Sequence, residues 1–185
     1  MATSFHGRRA SEKRIALRND LWPNSSSIIW DVSKEKGYCP IPRTLPLIMV
    51  LINDLAEKKM DASRVYLELW SRAFEDGFIT ITDEVSHAFS SGYPLQGRGL
   101  RSWRERIDIL KKLGFIDIKP AGSRKYGHIL LHHPHDVVEE LYSEHRIQEA
   151  WWNAFLSKLS EIKAKRRSKQ ETEKTAPILP LRRKR

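Results

Sequence analysis

A mainly α-helical fold with a small β-hairpin is predicted for this chain, on three observations. Between residues 44 and 113, apolar side chains recur at helical three- and four-residue spacing. The ends of those stretches fall on Ser, Thr, Asp, Gly or Pro, the residues that start and stop helices. The alternating runs Phe115–Lys119 and Arg124–Leu131 flank Pro120-Ala121-Gly122-Ser123, which reads as a hairpin turn.

Residues 1–20 have no clear apolar period and are expected to form a flexible basic arm. Residues 21–43 mix Trp22, Ile28, Ile29, Trp30 and Val32 with Pro23, Gly37, Pro40 and Pro42. They read as an irregular lead-in with one short strand at 27–32. Thr44 is placed to cap a helix over 44–58, and Pro46 suits its first turn, where the amides lack partners anyway. Apolar almost all round, that helix is expected to be the central buried one.

Ser63 is expected to cap the next helix, 63–75, packed through Val65, Tyr66, Leu67, Leu69, Trp70 and Phe74 and closed by Gly77. Phe78–Ile81 is a β-branched run that fits a short strand. Thr82 or Asp83 starts a third helix reaching Phe89, stopped by Ser90-Ser91-Gly92-Tyr93-Pro94. A fourth helix covers 98–113 and ends at Gly114. After the hairpin, Pro134 opens a long last helix over 134–166, and 167–185 reads as a disordered basic tail.

The chain has 185 residues and a formal charge of +10, from 33 Lys and Arg against 23 Asp and Glu. Its single cysteine, Cys39, excludes an internal disulfide framework and a cysteine-rich zinc finger. The longest apolar run, Leu45–Ile52, contains Pro46 and falls far short of the ~20 residues of a membrane span. With no apolar stretch behind the first residues, a secretory signal is not expected. A cytoplasmic, nucleoid-associated protein is.

The charge is concentrated. Residues 1–20 hold five basic and two acidic side chains, and 163–185 hold ten and two. Between them, 97–128 carries nine basic and three acidic residues, on a body that is otherwise acidic. Three basic segments on an acidic frame form an electrostatic footprint for an anionic partner.

The stretch Leu100 to Ile116 is the most telling. It is a helix passing through Leu113-Gly114-Phe115-Ile116 straight into a hairpin. From Thr80 to Leu131 the chain resembles the winged-helix form of the helix-turn-helix, as in bacterial transcription regulators and plasmid or phage replication and maintenance proteins. That resemblance implies a winged-helix domain over 21–133, with the helix 98–113 reading DNA and the hairpin as its wing. It specifies a fold better than a function.

Leu100, Trp103, Ile107 and Leu110 follow the spacing of one buried stripe. The opposite face then presents Arg98, Arg101, Ser102, Glu105, Asp108 and Lys112. A helix in the major groove reaches bases with its N-terminal part, so Arg98, Arg101, Ser102 and Glu105 are the candidate readers. Arginine can bond guanine twice and glutamate can accept from cytosine. A plainer reading of the same face is a solvated one with an Arg101–Glu105 pair. Gln96, Gly97, Lys112 and the wing residues Lys119, Ser123, Arg124 and Lys125 are the candidates for phosphate or minor-groove contact.

In the last helix, Val138, Leu141, His145, Gln148, Trp152, Phe155, Leu159 and Ile162 repeat in alternating steps of three and four. With Trp151, Trp152 and Phe155 along it, this helix is expected to make a homodimer through Trp151, Trp152, Phe155, Leu159 and Ile162. The alternative is that these side chains cover the lead-in at Trp22 and Trp30. The string His132-His133-Pro134-His135-Asp136 reads as a strand-to-helix junction rather than a metal site, so no metal and no cofactor are expected. No nucleophile elbow or paired carboxylates appear, and an enzyme is not expected. The expectation is a dimeric, sequence-selective binder of double-stranded DNA. RNA binding through the basic tails, or an adaptor for an acidic protein, are the alternatives.

Overall fold

The computed structural model describes residues 5–57, 60–73 and 76–164, and it divides into two units at Tyr38/Cys39. In the first unit, α1 (Phe5–Leu21) runs where a flexible arm was expected. The physical reason is intrinsic propensity: Arg, Lys, Ala, Leu and Glu dominate the stretch and favour helix without any apolar stripe to announce it. A single 3-10 turn, Ser25–Ser27, follows, and Ser25 Oγ donates to Asn19 Oδ1 at 3.4 Å. The strand expected at 27–32 is absent. Asp31 instead organises a turn, its Oδ1 accepting from the Ser33 amide at 3.0 Å and from its hydroxyl at 2.6 Å.

The second unit is mainly helical with a small three-stranded antiparallel sheet. Helix α2 (Leu45–Leu55) buries Leu45, Ile48, Leu51 and Ile52 but leaves Val50 exposed, so it is one-sided rather than buried all round. Pro46 lies in its first turn, but the Thr44 hydroxyl does not cap it and instead meets His135 Nε2 at 2.8 Å. Helix α3 (Ser63–Arg72) is also not capped by Ser63. Asn53 of α2 does that work, its Oδ1 accepting from the amides of Ala62 and Ser63, both at 3.1 Å. The expected continuation of α3 over Phe74, and residue 58 at the expected end of the first of these helices, lie outside the described residues.

Strand β1 (Phe78–Thr80) leads to α4 (Glu84–Ser90), whose first turn Asp83 caps by accepting from the Val85 amide at 3.0 Å. Helix α5 (Gly99–Lys112) seats Trp103, Ile107 and Leu110 in the core with no solvent exposure, and Leu100 half-buried beside them. Strands β2 (Ile116–Ala121) and β3 (Arg124–Leu131) form the hairpin, with Gly122 at φ +58 in the turn. The sheet order is β1-β3-β2, with Ile79 opposite Ile129 and Ile118 opposite Ile129 on the other side. Its inner face meets α5, where the rings of Trp103 and Tyr126 stand edge-on, centroids 5.9 Å apart. A buried polar group locks α3 to α4: Glu68 bonds His87 Nδ1 at 3.0 Å and pairs with Arg72.

The expected single helix over 134–166 is two helices, α6 (Pro134–Ser143) and α7 (Glu149–Glu161). The chain turns at His145, whose φ is +57. Helix α7 then folds back along α6. Tyr142 and Trp152 stack with centroids 4.1 Å apart, and Phe155 meets the edge of His135 at 5.4 Å. Among the described residues no helix is long and apolar enough to cross a membrane.

Candidate nucleic-acid interface

The exposed side of α5 is built by its own spacing. With Trp103, Ile107 and Leu110 committed to the core, Arg101, Glu105, Asp108 and Lys112 must face outward. Arg98 stands at the N-cap position and makes no ion pair among the described residues. Gln96 and Gly97 precede it in an exposed loop, Gly97 at φ +69 with open space where a Cβ would point. Gly99 does something different: an added Cβ would lie 1.8 Å from the Pro94 carbonyl oxygen. That glycine lets the loop close onto the helix start rather than giving a ligand access to the backbone.

Arg98, Arg101, Ser102, Glu105, Arg106 and Met60 line one concavity of about 350 Å³. All four sequence-designated readers are therefore brought together. Arg101 Nε donates to Glu105 Oε1 at 3.2 Å, and Arg106 Nη1 donates to Glu105 Oε2 at 3.1 Å and to the Ser102 carbonyl at 3.2 Å. Glu105 thus holds two arginines in place with its two oxygens. Arg101 remains largely in water, so the pair is weak enough to exchange for a ligand.

Arg106, Met60 and Tyr93 are missing from the sequence-designated set. The guanidinium carbons of Arg64 and Arg106 lie 5.5 and 5.6 Å from the Tyr93 ring centroid, within cation–π range. The Tyr93 hydroxyl donates to the Asp61 carbonyl at 2.9 Å, and burial raises its pKa against the opposing pull of both arginines. The signal for Arg106 was present, since it stands four residues after Ser102. The Tyr93 contacts join segments more than ten residues apart and have no local signature.

The β2–β3 hairpin is less free than expected. Lys125 Nζ lies 3.0 Å from Asp108 Oδ2 on α5 and donates to the Tyr126 hydroxyl at 2.8 Å. The bond to Tyr126, then that to Asp108, raises the Lys125 pKa. Arg124 donates to the Thr82 carbonyl at 2.9 Å, and Lys119 sits 3.6 Å from Asp117. Lys112 pairs with Glu57 and so turns toward the end of α2 rather than the hairpin. Ser123 is exposed at the hairpin tip. Between α5 and the end of α2 lies a second concavity of about 280 Å³, lined in part by Glu57, Asp108, Lys112 and Arg146.

The residues expected to make a dimer are placed mostly within their own chain. Trp152, Phe155 and Leu159 are buried, and Trp151 and Ile162 are half-buried. The break at His145 is the reason, because it lets α7 close on α6. The three histidines after β3 have separate partners. His132 Nδ1 meets the Gly114 carbonyl at 2.7 Å, His133 Nδ1 lies 3.2 Å from Asp136, and His135 meets Thr44. The basic tail at 167–185 lies outside the described residues. Comparison with family models, with curated proteins and with solved structures returns no match to this chain.

Proposed function

We propose that this chain is a winged helix-turn-helix protein that binds duplex DNA in a sequence-selective way. In this reading α5 enters the major groove, the β2–β3 hairpin is the wing, and the flanking basic segments contact phosphate. The element order α3, β1, α4, α5, β2, β3 and the strand order β1-β3-β2 support it. Control of transcription, or replication and maintenance of a plasmid or phage genome, is the setting that suits such a reader.

The observation that carries the proposal is the division of α5. One face is packed into the core through Trp103, Ile107 and Leu110, and the N-terminal half of the other gathers Arg98, Arg101, Ser102 and Glu105 around one open concavity. Arginine matches the two guanine acceptors of the major groove, and a neighbouring carboxylate penalises indiscriminate phosphate binding. Selection of sites from random duplex DNA at ~150 mM salt tests this directly, because purely electrostatic binding is already weak there. An enriched motif is expected. A flat selection with tight residual binding overturns the reading in favour of RNA or non-specific binding, and no binding at all favours the adaptor.

A further inference from the structure

The second concavity, between α5 and the end of α2, has a floor and a rim of different chemistry. Leu55, Ile109 and Leu113 supply apolar surface, Leu113 from the core itself and the other two packed against it. Around them stand Glu57, Glu105 and Asp108 together with Lys112 and Arg146, so carboxylates and cations share one rim. Asp108 and Lys112 are four residues apart on α5 and lie one turn apart on the same face. Arg146 joins them from the link between α6 and α7, directly after the left-handed turn at His145. An apolar floor with a few convergent polar groups is the usual build of a small-molecule site. At about 280 Å³ this one falls just below the ~300–1,000 Å³ typical of such sites, so its ligand is small.

We infer that this concavity binds an apolar α-amino acid, with the ammonium on Glu105 and Asp108, the carboxylate on Lys112 and Arg146, and the side chain over Leu55, Ile109 and Leu113. A ligand with a single charge meets groups of its own sign across so small a cavity. An amino acid carries both charges at one end and leaves the other end apolar, which matches rim and floor together. The rim groups are paired within the chain, but weakly. Lys112 and Glu57 pair with side chains that are 69% and 67% exposed, and Arg146 Nη1 reaches Glu144 at 3.1 Å. Such exposed pairs contribute little and exchange readily for a ligand that offers both charges at once. Asp108 accepts from Lys125 and Tyr126, and Glu105 from Arg101 and Arg106, which holds both carboxylates in place and leaves lone pairs for an ammonium. Glu105 lines both concavities, yet amino-acid binding needs no DNA, so either reading can fail alone.

The test titrates the isotope-labelled full chain with L-leucine, L-methionine and L-phenylalanine, each up to about 10 mM, and follows its backbone amide resonances. At least one of the three is expected to bind with a Kd below about 1 mM. The amide shifts are expected to centre on residues 55–57, 105–113 and 145–147. Glycine, and the matching amine and carboxylic acid that each keep one charge of the amino acid, are expected to bind at least about tenfold more weakly. Lys112→Gln and Glu105→Gln, both at exposed positions, are each expected to weaken binding about tenfold while melting like the parent. Lys158→Gln, on α7 and outside the concavity, leaves binding unchanged. No binding by any of the three, shifts centred elsewhere, equal binding of glycine or of a single-charge analogue, or full binding by both rim variants overturns the inference.

Discussion

The Lys125 ammonium, on the second residue of β3, lies 3.0 Å from one carboxylate oxygen of Asp108 on α5 and 3.1 Å from the other. Tyr126 donates to the same carboxylate at 2.9 Å, so the root of the hairpin is tied to the helix beside it. In the proposed complex, a phosphate must compete with Asp108 for Lys125. Asp108→Asn is therefore expected to tighten binding to all duplexes and to steepen its salt dependence by about one counterion. Filter binding across a salt series reads this, and an unchanged slope would remove Lys125 from the contact set.

Buried carboxylates are held to a stricter account. Glu68 is covered from water, bonds His87 at 3.0 Å and pairs with Arg72 across one helical turn. Glu68→Ala leaves the imidazole without its partner and is expected to destabilise the fold by roughly 2–4 kcal/mol in urea unfolding. Glu68→Gln, which keeps a bond to the ring, is expected to lose distinctly less. Because this group joins α3 to α4, the loss should also loosen the platform beneath α5.

Protonation of His135 opposes folding. Its pKa lies below the ordinary value of 6.5, chiefly through burial and then through the neighbouring His133, against the pull of Asp136 and Glu139. Its ring meets Thr44 on one side and the edge of Phe155 on another. A depressed histidine leaves the unfolded chain binding more protons as pH falls through 6.5, so stability is full above that range and declines below it. The melting temperature is expected to drop between pH about 7.5 and about 5, and to drop less in His135→Gln. Equal slopes would mean that other groups govern acid unfolding.

How far the structure was legible depends on what ended each helix. Helices α4 and α5 stop in the same way, with a left-handed residue whose amide bonds back three residues and a following amide that bonds back five. There the left-handed residues are Gly92 and Gly114, and glycine announces such a turn. Helices α6 and α7 end in the same motif at His145 and Lys163, where nothing in the residue type marks it. The three-and-four spacing from Val138 to Ile162, carried across the polar His145 and Gln148, therefore read as one helix and a dimer seam. In α5 the buried stripe was plain because core and solvent faces differ sharply. The cap that Asn53 supplies to α3, and the Tyr93–Arg106 contact, are tertiary pairings that no local pattern encodes.

Two glycines near the start of α5 should separate by mechanism. Gly99→Ala forces a Cβ against the Pro94 carbonyl at 1.8 Å, a backbone clash that no side chain can relieve. It is expected to destabilise the protein by ~1–3 kcal/mol and to shift the loop that carries Gln96 and Arg98. Gly97→Ala meets only open space and bears the strain of its positive φ alone, about 1–2 kcal/mol. Comparable binding losses at equal stability would show that both glycines approach the ligand.

Arg101→Ala separates a base reader from a solvated charge. The guanidinium is exposed and, among the described residues, paired with Glu105 at 3.2 Å, so its removal should leave the melting temperature nearly unchanged. If the side chain bonds a guanine, the variant loses ~1–3 kcal/mol for the preferred site and much less for a site altered at that base pair. Lys125→Ala is expected to weaken both sites alike, because a phosphate contact carries no sequence information. Glu105→Gln sharpens the comparison. It frees Arg101 from its carboxylate while keeping the shape of the concavity, so binding should rise on both sites and the ratio between them should fall. A uniform loss in Arg101→Ala, matching that of Lys125→Ala, would assign the arginine to the backbone and leave α5 without a demonstrated reader.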